Sequence, residues 1–293
     1  MNLETDFKSL FAENANEEGN EKVLPGIFRF QIGEQQWIYP VEVSVRGNSS
    51  KHDCSFKKLS LKIGKKSDGP LAGISKLRLN THCSDQPGYT EMGRVTGPAG
   101  PIREGAVYDW MRVMGFSTYL SKTASITYKD SSSQRLTESF VLFLESKKDL
   151  GRRLGGKALE EEDLEDQVVF LDRLTETSRN EQTLKALLFN ALIGNIDYSL
   201  QLTDLEGERH YNPISPPSGM WNMVAVDYGS AISIVPTDFD VSGIVVQRPE
   251  FSDEITKAIS GCPTIRCEFP FSQVQKWRSF FTASIFASVA RDY

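Results

Sequence analysis

Alternation of hydrophobic and polar positions dominates the first half of the chain and predicts β-strands. The segments are "IFRFQIG", "WIYPVEVSVRG", "FKKLSLKIG" and "ISKLRLN", followed later by "SKTASITYKD" and "ESFVLFLES". Glycine and Asn-Ser turns separate them, as is typical of antiparallel strands. Residues 102–114 instead place apolar side chains at positions 107, 110, 111 and 114, before a glycine at 115. That spacing predicts one helix within the strand-rich part.

The pattern changes after residue 145, where helical spacing replaces alternation. Residues 149–153 and "EEEDLEDQVVFLDRL" are helical in pattern, and residues 181–193 carry an apolar stripe that ends at a Gly-Asn pair. The stripe consists of Leu184, Leu187, Leu188, Ala191 and Leu192. Two short strands, "NMVAVDY" and "AISIVP", follow, and an amphipathic helix, "FSQVQKWRSFFTASIFASVA", ends the chain.

This segregation of strands and helices favours an α+β fold with two lobes over alternating βαβ units. We expect an acidic, mobile or loosely docked arm over residues 1–24, a strand-rich lobe over 25–145 and a helical lobe over 146–293.

Composition narrows the functional classes. Hydrophobic residues make up 39% and charged residues 25% of the chain, and the net charge is −6. An acidic balance argues against nucleic-acid binding, and no apolar run reaches the roughly 20 residues of a membrane span. The N-terminus does not have the pattern of a signal peptide. Localisation therefore stays open: extracytoplasmic if a leader was removed, otherwise cytoplasmic.

The four cysteines fall into two neighbourhoods, Cys54 with Cys83 and Cys262 with Cys267. Neither has zinc-knuckle spacing, and with three histidines a structural zinc site is not expected. Free thiols and two disulfides both remain open.

The stretch "VPTDFDVSG" carries two carboxylates, Asp238 and Asp240, beside a phenylalanine. In an extended chain both side chains leave the same face. Like charges held side by side repel, so the pair indicates either a cation site or a polar turn. Asp197 lies on a predicted loop just after the end of a helix. Asn222 opens the first of the two short strands, and Asp238 and Asp240 come at the end of the second. An acid, an amide and paired carboxylates in this order favour a phosphoryl-transfer site.

Three blocks of sequence resemble the spore coat protein CotH family of secretory-type atypical kinases. They are "RGNSS" (46–50), "LIGNIDYSL" (192–200) and "NMVAVDYGSAISIVPTDFDVSGIV" (222–245), with "KLRLNTHC", "REGAVYDWM" and "FLESKKDLGRRLGG" between them. The resemblance spans roughly residues 41–246. It implies a protein-kinase-like bilobal fold that binds ATP with Mg²⁺ or Mn²⁺ and has a protein substrate.

The resemblance also implies roles for four residues of the predicted helical lobe. Asp197 would be the catalytic-loop acid, and Asn222 the metal-binding amide. Asp238 resembles the metal-binding acid of the kinase DFG motif, and Asp240 is a second acid that could share the metal.

In the first lobe, Glu104 would pair with a basic residue on a preceding strand, as kinases pair a strand lysine with a helix glutamate. Lys62, Lys76 and Arg78 all qualify by position, although an arginine is not equivalent to a lysine there.

The "RGNSS" segment would cover phosphates with its backbone N–H groups, with Arg46 and Asn48 beside them. Its single glycine is also compatible with a plain hairpin turn.

The expected reaction is transfer of the γ-phosphoryl group of ATP to a hydroxyl, that of a protein serine or threonine. Three departures from the family pattern keep alternatives open: the long stretch between Asp197 and Asn222, Tyr198 in place of a tryptophan, and the strand lysine that the sequence does not identify. One alternative is a catalytically silent, pseudokinase-like binding module. The other is a metal-dependent phosphoester hydrolase. The sequence contains no HExxH motif and no Ser-His-Asp order, which disfavours proteases.

Overall fold

The computed structural model divides into two compact units. The described part of the first lies in Met1–Asp109 and Tyr119–Gly155, and the described part of the second lies in Trp110–Thr118 and from Gly156 onward. The structure describes residues 1–12, 22–47, 49–64, 68–91, 93–159, 177–195, 222–229, 231–242 and 245. Asp197, Asn48, the whole predicted helix at 160–174 and the predicted C-terminal helix lie outside the described residues.

The first unit is built on a closed barrel in the strand order β1-β2-β3-β4-β5-β9-β8. A two-stranded sheet, β6–β7, lies in the Gly/Pro-rich connection that follows β5. The nine strands are β1 (Asn2–Thr5), β2 (Val23–Ile32), β3 (Gln35–Val45), β4 (Leu59–Ile63), β5 (Lys76–Asn80), β6 (Gly88–Tyr89), β7 (Val95–Thr96), β8 (Ser121–Asp130) and β9 (Leu136–Leu144).

Closure of the barrel depends on the shortest of its strands. β1 pairs antiparallel with β2, where Leu3 is opposite Phe28, and parallel with β8, where Asn2 is opposite Thr127. All other barrel pairs are antiparallel. Because β1 bonds to both neighbours, the sheet has no free edge at this seam.

The barrel interior is a hydrophobic core formed by the inward half of each alternating strand. β3 shows the alternation clearly, since Tyr39, Val41, Val43 and Val45 are buried while the residues between them are partly or fully exposed. Leu3, Leu59, Leu61 and Leu79 have no exposed surface. Aromatic rings fill the remaining space, including Phe28, Phe30, Phe143 and Tyr128.

Five described helices accompany the sheets: α1 (Phe7–Leu10), α2 (Ser49–Asp53), α3 (Ala99–Val113), α4 (Lys147–Arg153) and α5 (Thr177–Ile193). The second unit contains α5 and a three-stranded sheet in the order β10-β11-β12. Its strands are β10 (Lys157–Ala158), β11 (Met223–Asp227) and β12 (Ile232–Pro236). No described helix has the length and apolar character needed to cross a bilayer.

The predicted kinase-like bilobal fold is wrong, although the coarser α+β class holds. The strand-rich part forms a closed barrel, because the N-terminal segment adds the strand that joins β2 to β8. Nor do the described residues after Gly155 form a helix-rich lobe, since they contain one helix, α5, and a three-stranded sheet.

Residues 1–12, the described start of the predicted arm, pack against the barrel. Leu3 on β1 and Leu10 on α1 are fully buried in the barrel core. The side chain of Asp6 caps α1 by accepting a hydrogen bond from the N–H of Ser9 at 2.9 Å. A strand of four residues shows too little alternation to be recognised among acidic neighbours.

The buried face of α5 differs from the predicted leucine stripe. Leu188 is 45% exposed, and Leu187 and Leu192 are partly exposed. The helix instead buries a set that includes two polar side chains: Thr183, Ala186, Phe189, Asn190 and Ile193.

One of the two cysteine pairs is bonded. Cys54 and Cys83 form a disulfide with their Cα atoms 4.7 Å apart, and both residues are buried. Next to it, the carboxylate of Asp53 accepts a hydrogen bond from Arg94 at 2.8 Å, with both side chains 6% exposed. The Cys262–Cys267 pair lies outside the described residues.

Candidate functional site

The β11–β12 hairpin of the second unit brings Asn222 beside the end of β12. Met223 pairs with Pro236, and the N–H of Thr237 donates to the carbonyl of Asn222 at 2.9 Å. Asn222 has a φ of +54°, a conformation that asparagine tolerates better than most residues. The candidate amide ligand therefore lies one residue away, across the hairpin, from Asp238.

Burial of Phe239 sets the direction of the two carboxylates. Its ring has no exposed surface and packs edge-on against Phe189 with ring centroids 5.9 Å apart. Asp238 and Asp240 on either side are half-buried. The chain here is a turn rather than an extended strand, since the N–H of Asp240 donates to Oδ1 of Asp238 at 3.4 Å. The polar-turn geometry is thus present, and a turn of this kind can still present carboxylate oxygens to a cation.

The C-terminus of α5 lies against this turn. Gly194 adopts a φ of +64°, and the N–H of Asn195 donates to the carbonyl of Asn190 at 2.8 Å, the bond that defines a Schellman motif. The side-chain amide of Asn195 donates to the carbonyl oxygen of Asp238 at 3.1 Å. The chain two residues before Asp197 is therefore hydrogen-bonded directly to the candidate metal-binding acid.

The donor set of this site suits a hard divalent cation. Magnesium prefers oxygen ligands and is commonly held by one or two carboxylates, with waters and phosphates completing its shell. Asn222, Asp238 and Asp240 supply oxygens of this type. Among the described residues, no group of three or more His, Cys, Asp and Glu side chains is placed to hold a metal.

In the first unit, Arg46 and Gly47 lead from β3 into α2 rather than into a plain hairpin turn. Nε of Arg46 donates to the carbonyl of Leu59 at 3.2 Å. Gly47 has a φ of +82°, and a side chain there would collide with Oγ of Ser50. The glycine of "RGNSS" is thus needed for the local backbone.

The three basic residues considered as partners of Glu104 have different environments. Lys62 and Lys76 are opposite each other on β4 and β5 and are both exposed. The ammonium of Lys62 lies 2.9 Å from the carboxylate of Glu42. Arg78 donates to the hydroxyl of Tyr119 at 2.6 Å, and its guanidinium lies 5.1 Å from the centre of that ring. Burial raises the pKa of Tyr119, and the positive charges of Arg78 and Arg46 oppose that rise.

Glu104 of α3 is 2% exposed and is bound by an amide that the sequence did not single out. Nδ2 of Asn80 on β5 lies 2.6 and 2.7 Å from its two carboxylate oxygens. Oδ1 of Asn80 is buried without a hydrogen-bond partner. The side chains of Arg78 and Asn80 leave the same side of β5 because they are two positions apart. Glu104 therefore contacts β5 through the amide of Asn80, and its pairing with a basic strand residue stays a prediction.

Sequence reasoning missed the residues that organise both regions. Asn195 lies in the block "LIGNIDYSL", where the sequence pattern indicates only a helix end, and no pattern in the sequence marks Tyr119 or Asn80. A polar residue inside a buried helical or strand face is the available signal, because such residues are costly to bury without partners. Comparison with protein-family models and with curated proteins gives no match to this chain.

Proposed function

We propose that the protein is a metal-dependent phosphotransferase that moves the γ-phosphoryl group of ATP to a hydroxyl, that of a protein serine or threonine. The observation that carries this proposal is the hydrogen bond from Asn195 to the carbonyl of Asp238. It joins the chain leading to Asp197 to the turn that bears Asp238 and Asp240. The resemblance of residues 192–200 and 222–245 to the CotH family supports the same reaction. The proposal does not require a kinase fold.

The four candidate residues of the second unit would have separate chemical roles. The carboxylate of Asp197 would orient the acceptor hydroxyl and take its proton. The hydroxyl oxygen then forms a bond to the γ-phosphorus while the bond from that phosphorus to the β–γ bridging oxygen breaks and ADP leaves. Asn222, Asp238 and Asp240 would hold Mg²⁺ or Mn²⁺, which supplies positive charge against the phosphate oxygens when bound.

The test uses two charge-removing variants that keep side-chain size. In Asp238→Asn, Oδ1 can still accept the N–H of Asp240, so the turn is preserved while a metal ligand loses its charge. We expect Mn²⁺-dependent ATP binding, measured by calorimetry, to weaken at least tenfold. Asp197→Asn should bind ATP normally but fail to transfer labelled phosphate.

Asp227→Asn is the matched control, because Asp227 lies at the opposite end of the same hairpin and binds the N–H of Gly229. It should bind ATP and transfer phosphate as the wild type does. Full ATP affinity without divalent metal, or a fully active Asp197→Asn variant, would refute the proposal.

The second candidate is a catalytically silent nucleotide-binding module. The sequence favours it in one respect, since it does not identify the strand lysine that kinases pair with the helix glutamate. Metal-dependent ATP binding without incorporation of labelled phosphate into any acceptor would identify this alternative. Release of phosphate from a simple ester would instead identify a hydrolase.

A further inference from the structure

Two asparagines at the end of α5 form a buried amide pair. Asn190 has no exposed surface, and Asn195 is 3% exposed. Nδ2 of Asn195 donates to Oδ1 of Asn190 at 2.9 Å. Buried amides reduce stability unless their polar atoms are hydrogen-bonded, so this pair calls for a physical reason.

The position of the pair within the helix end makes the choice of asparagine unusual. In a Schellman motif, the residue after the left-handed glycine commonly makes a hydrophobic contact with the fourth residue before that glycine. Here these two positions are Asn195 and Asn190, on either side of Gly194 in the motif. Two leucines would make the usual hydrophobic contact at this helix end. We therefore look for the role of the two amides in contacts outside the helix.

Both amides reach the strands that carry the candidate metal ligands. Asn195 donates to the carbonyl of Asp238, and Nδ2 of Asn190 lies 3.9 Å from the sulfur of Met223, the residue after Asn222. The end of α5 thus contacts the start of β11 and the second residue after β12. Ligand-bearing segments of metal sites are commonly held by such outer hydrogen bonds.

We propose that Asn190 and Asn195 are positioning residues that fix the backbone at Asp238 and thereby aim the carboxylates of Asp238 and Asp240. The inference rests on the proposed function in so far as those carboxylates bind metal. The role of the two asparagines in fixing the turn can be tested apart from metal binding, because it depends only on hydrogen bonds within the second unit.

The test replaces the pair by an isosteric apolar pair, Asn190→Leu/Asn195→Leu. Leucine and asparagine have the same branching, and replacing both partners of a hydrogen bond by apolar groups of similar shape costs little stability. The helix end should therefore persist while the carbonyl of Asp238 loses its amide donor.

Thr183→Val is the matched control. Oγ1 of Thr183 accepts the N–H of Ile234 at 3.2 Å, so this change also removes a buried hydrogen bond between α5 and β12. That bond is remote from Asp238, and we expect the control to loosen the contact between the two elements without moving the turn.

Two measurements are made on the full chain. Hydrogen exchange followed by mass spectrometry reports on the N–H groups of Asp240 and Ser242, which bond to Asp238 and Phe239. Calorimetric titration with Mn²⁺ in the presence of a non-hydrolysable ATP analogue reports on the metal site. In the double variant we expect exchange about tenfold faster and Mn²⁺ binding weaker by on the order of tenfold to a hundredfold. The control should match the wild type in both.

Wild-type exchange in the double variant, or an equal change in Thr183→Val, would overturn the positioning role. If the wild type binds no Mn²⁺ but the double variant exchanges faster, the proposed function is wrong and the positioning of the turn stands. Should the double variant not fold, Asn195→Ser replaces it, since serine keeps a polar group but is too short to reach Asp238. The same exchange and Mn²⁺ results then decide.

Discussion

At the scale of single residues, Gly69 shows how one missing side chain shapes the barrel. It lies in a short 3₁₀ turn (Gly69–Leu71) with a φ of +76°. A Cβ atom here would overlap the indole ring of Trp37, which stacks on Tyr39. The hydroxyl of Tyr39 donates to the carbonyl of Asp68 at 2.7 Å, so the turn and the aromatic pair hold each other.

We expect Gly69→Ala to lower the free energy of unfolding by about 3 kcal/mol, from backbone strain and overpacking together. Gly73 separates the two causes, because it has a φ of +77° and open space where its Cβ would lie. Gly73→Ala should cost only about 1 kcal/mol. Urea denaturation measures both values, and equal losses would show that contact with Trp37 does not matter.

At the scale of elements, α2 is held in place mainly by contacts with residues outside the helix. A helix of five residues has little stability of its own. The Cys54–Cys83 disulfide and the buried Asp53–Arg94 ion pair anchor its C-terminal end. The hydroxyl of Thr90 adds a hydrogen bond to the same carboxylate at 2.5 Å. These contacts restrain the segment that leads from Arg46 into the helix, and disulfides of this kind are maintained in oxidising compartments.

Replacement of both cysteines by serine should lower the free energy of unfolding by about 3 to 4 kcal/mol, because the bond closes a loop of about 30 residues in the unfolded chain. Denaturation with and without a dithiol reductant provides the internal control. The wild type should fall to the level of the Cys54→Ser/Cys83→Ser variant when reduced, whereas the variant should not respond. A variant as stable as the oxidised wild type would contradict this expectation.

The local sequence pattern was sufficient to predict most strands. It was insufficient to predict features that depend on contacts between segments distant in the chain. The alternation at β2, β3 and β8 and the apolar run at β9 correctly identified long strands. The buried face predicted for α5 was wrong, because the prediction used the hydrophobicity of the leucines alone. Asn190 is buried on this helix through hydrogen bonds. The order of Asn222 and Asp238 on a hairpin was foreseeable from sequence. The contact of Asn195 with Asp238 joins segments far apart in the chain and leaves no local periodicity.

At the scale of the whole molecule, the first unit depends on a single short strand for closure. Leu3 is the residue of β1 that is fully buried in the core, and the polar backbone groups of β1 satisfy those of β2 and β8. Loss of this strand would expose two sheet edges at once.

Leu3→Ala should lower the free energy of unfolding by about 3 kcal/mol, as expected for a leucine removed from a close-packed core. Leu136→Ala is the control, because Leu136 belongs to the same barrel but is 60% exposed, and its loss should cost less than about 0.5 kcal/mol. Thermal and chemical denaturation compare the two variants. Similar small effects would mean that β1 is not part of the cooperative core.

Closure by β1 also determines the order in which the barrel can form during synthesis. A ribosome releases β1 long before its parallel partner, since Asn2 pairs with Thr127. Non-local pairings of this kind form late, because the loop entropy is lost before the contact is gained. Because β9 joins β5 to β8, the nascent chain carries an open sheet until residue 144 has emerged, and this sheet can add strands from neighbouring chains. Slowing translation over residues 81–120 would therefore lengthen the period in which this protein is most prone to aggregate.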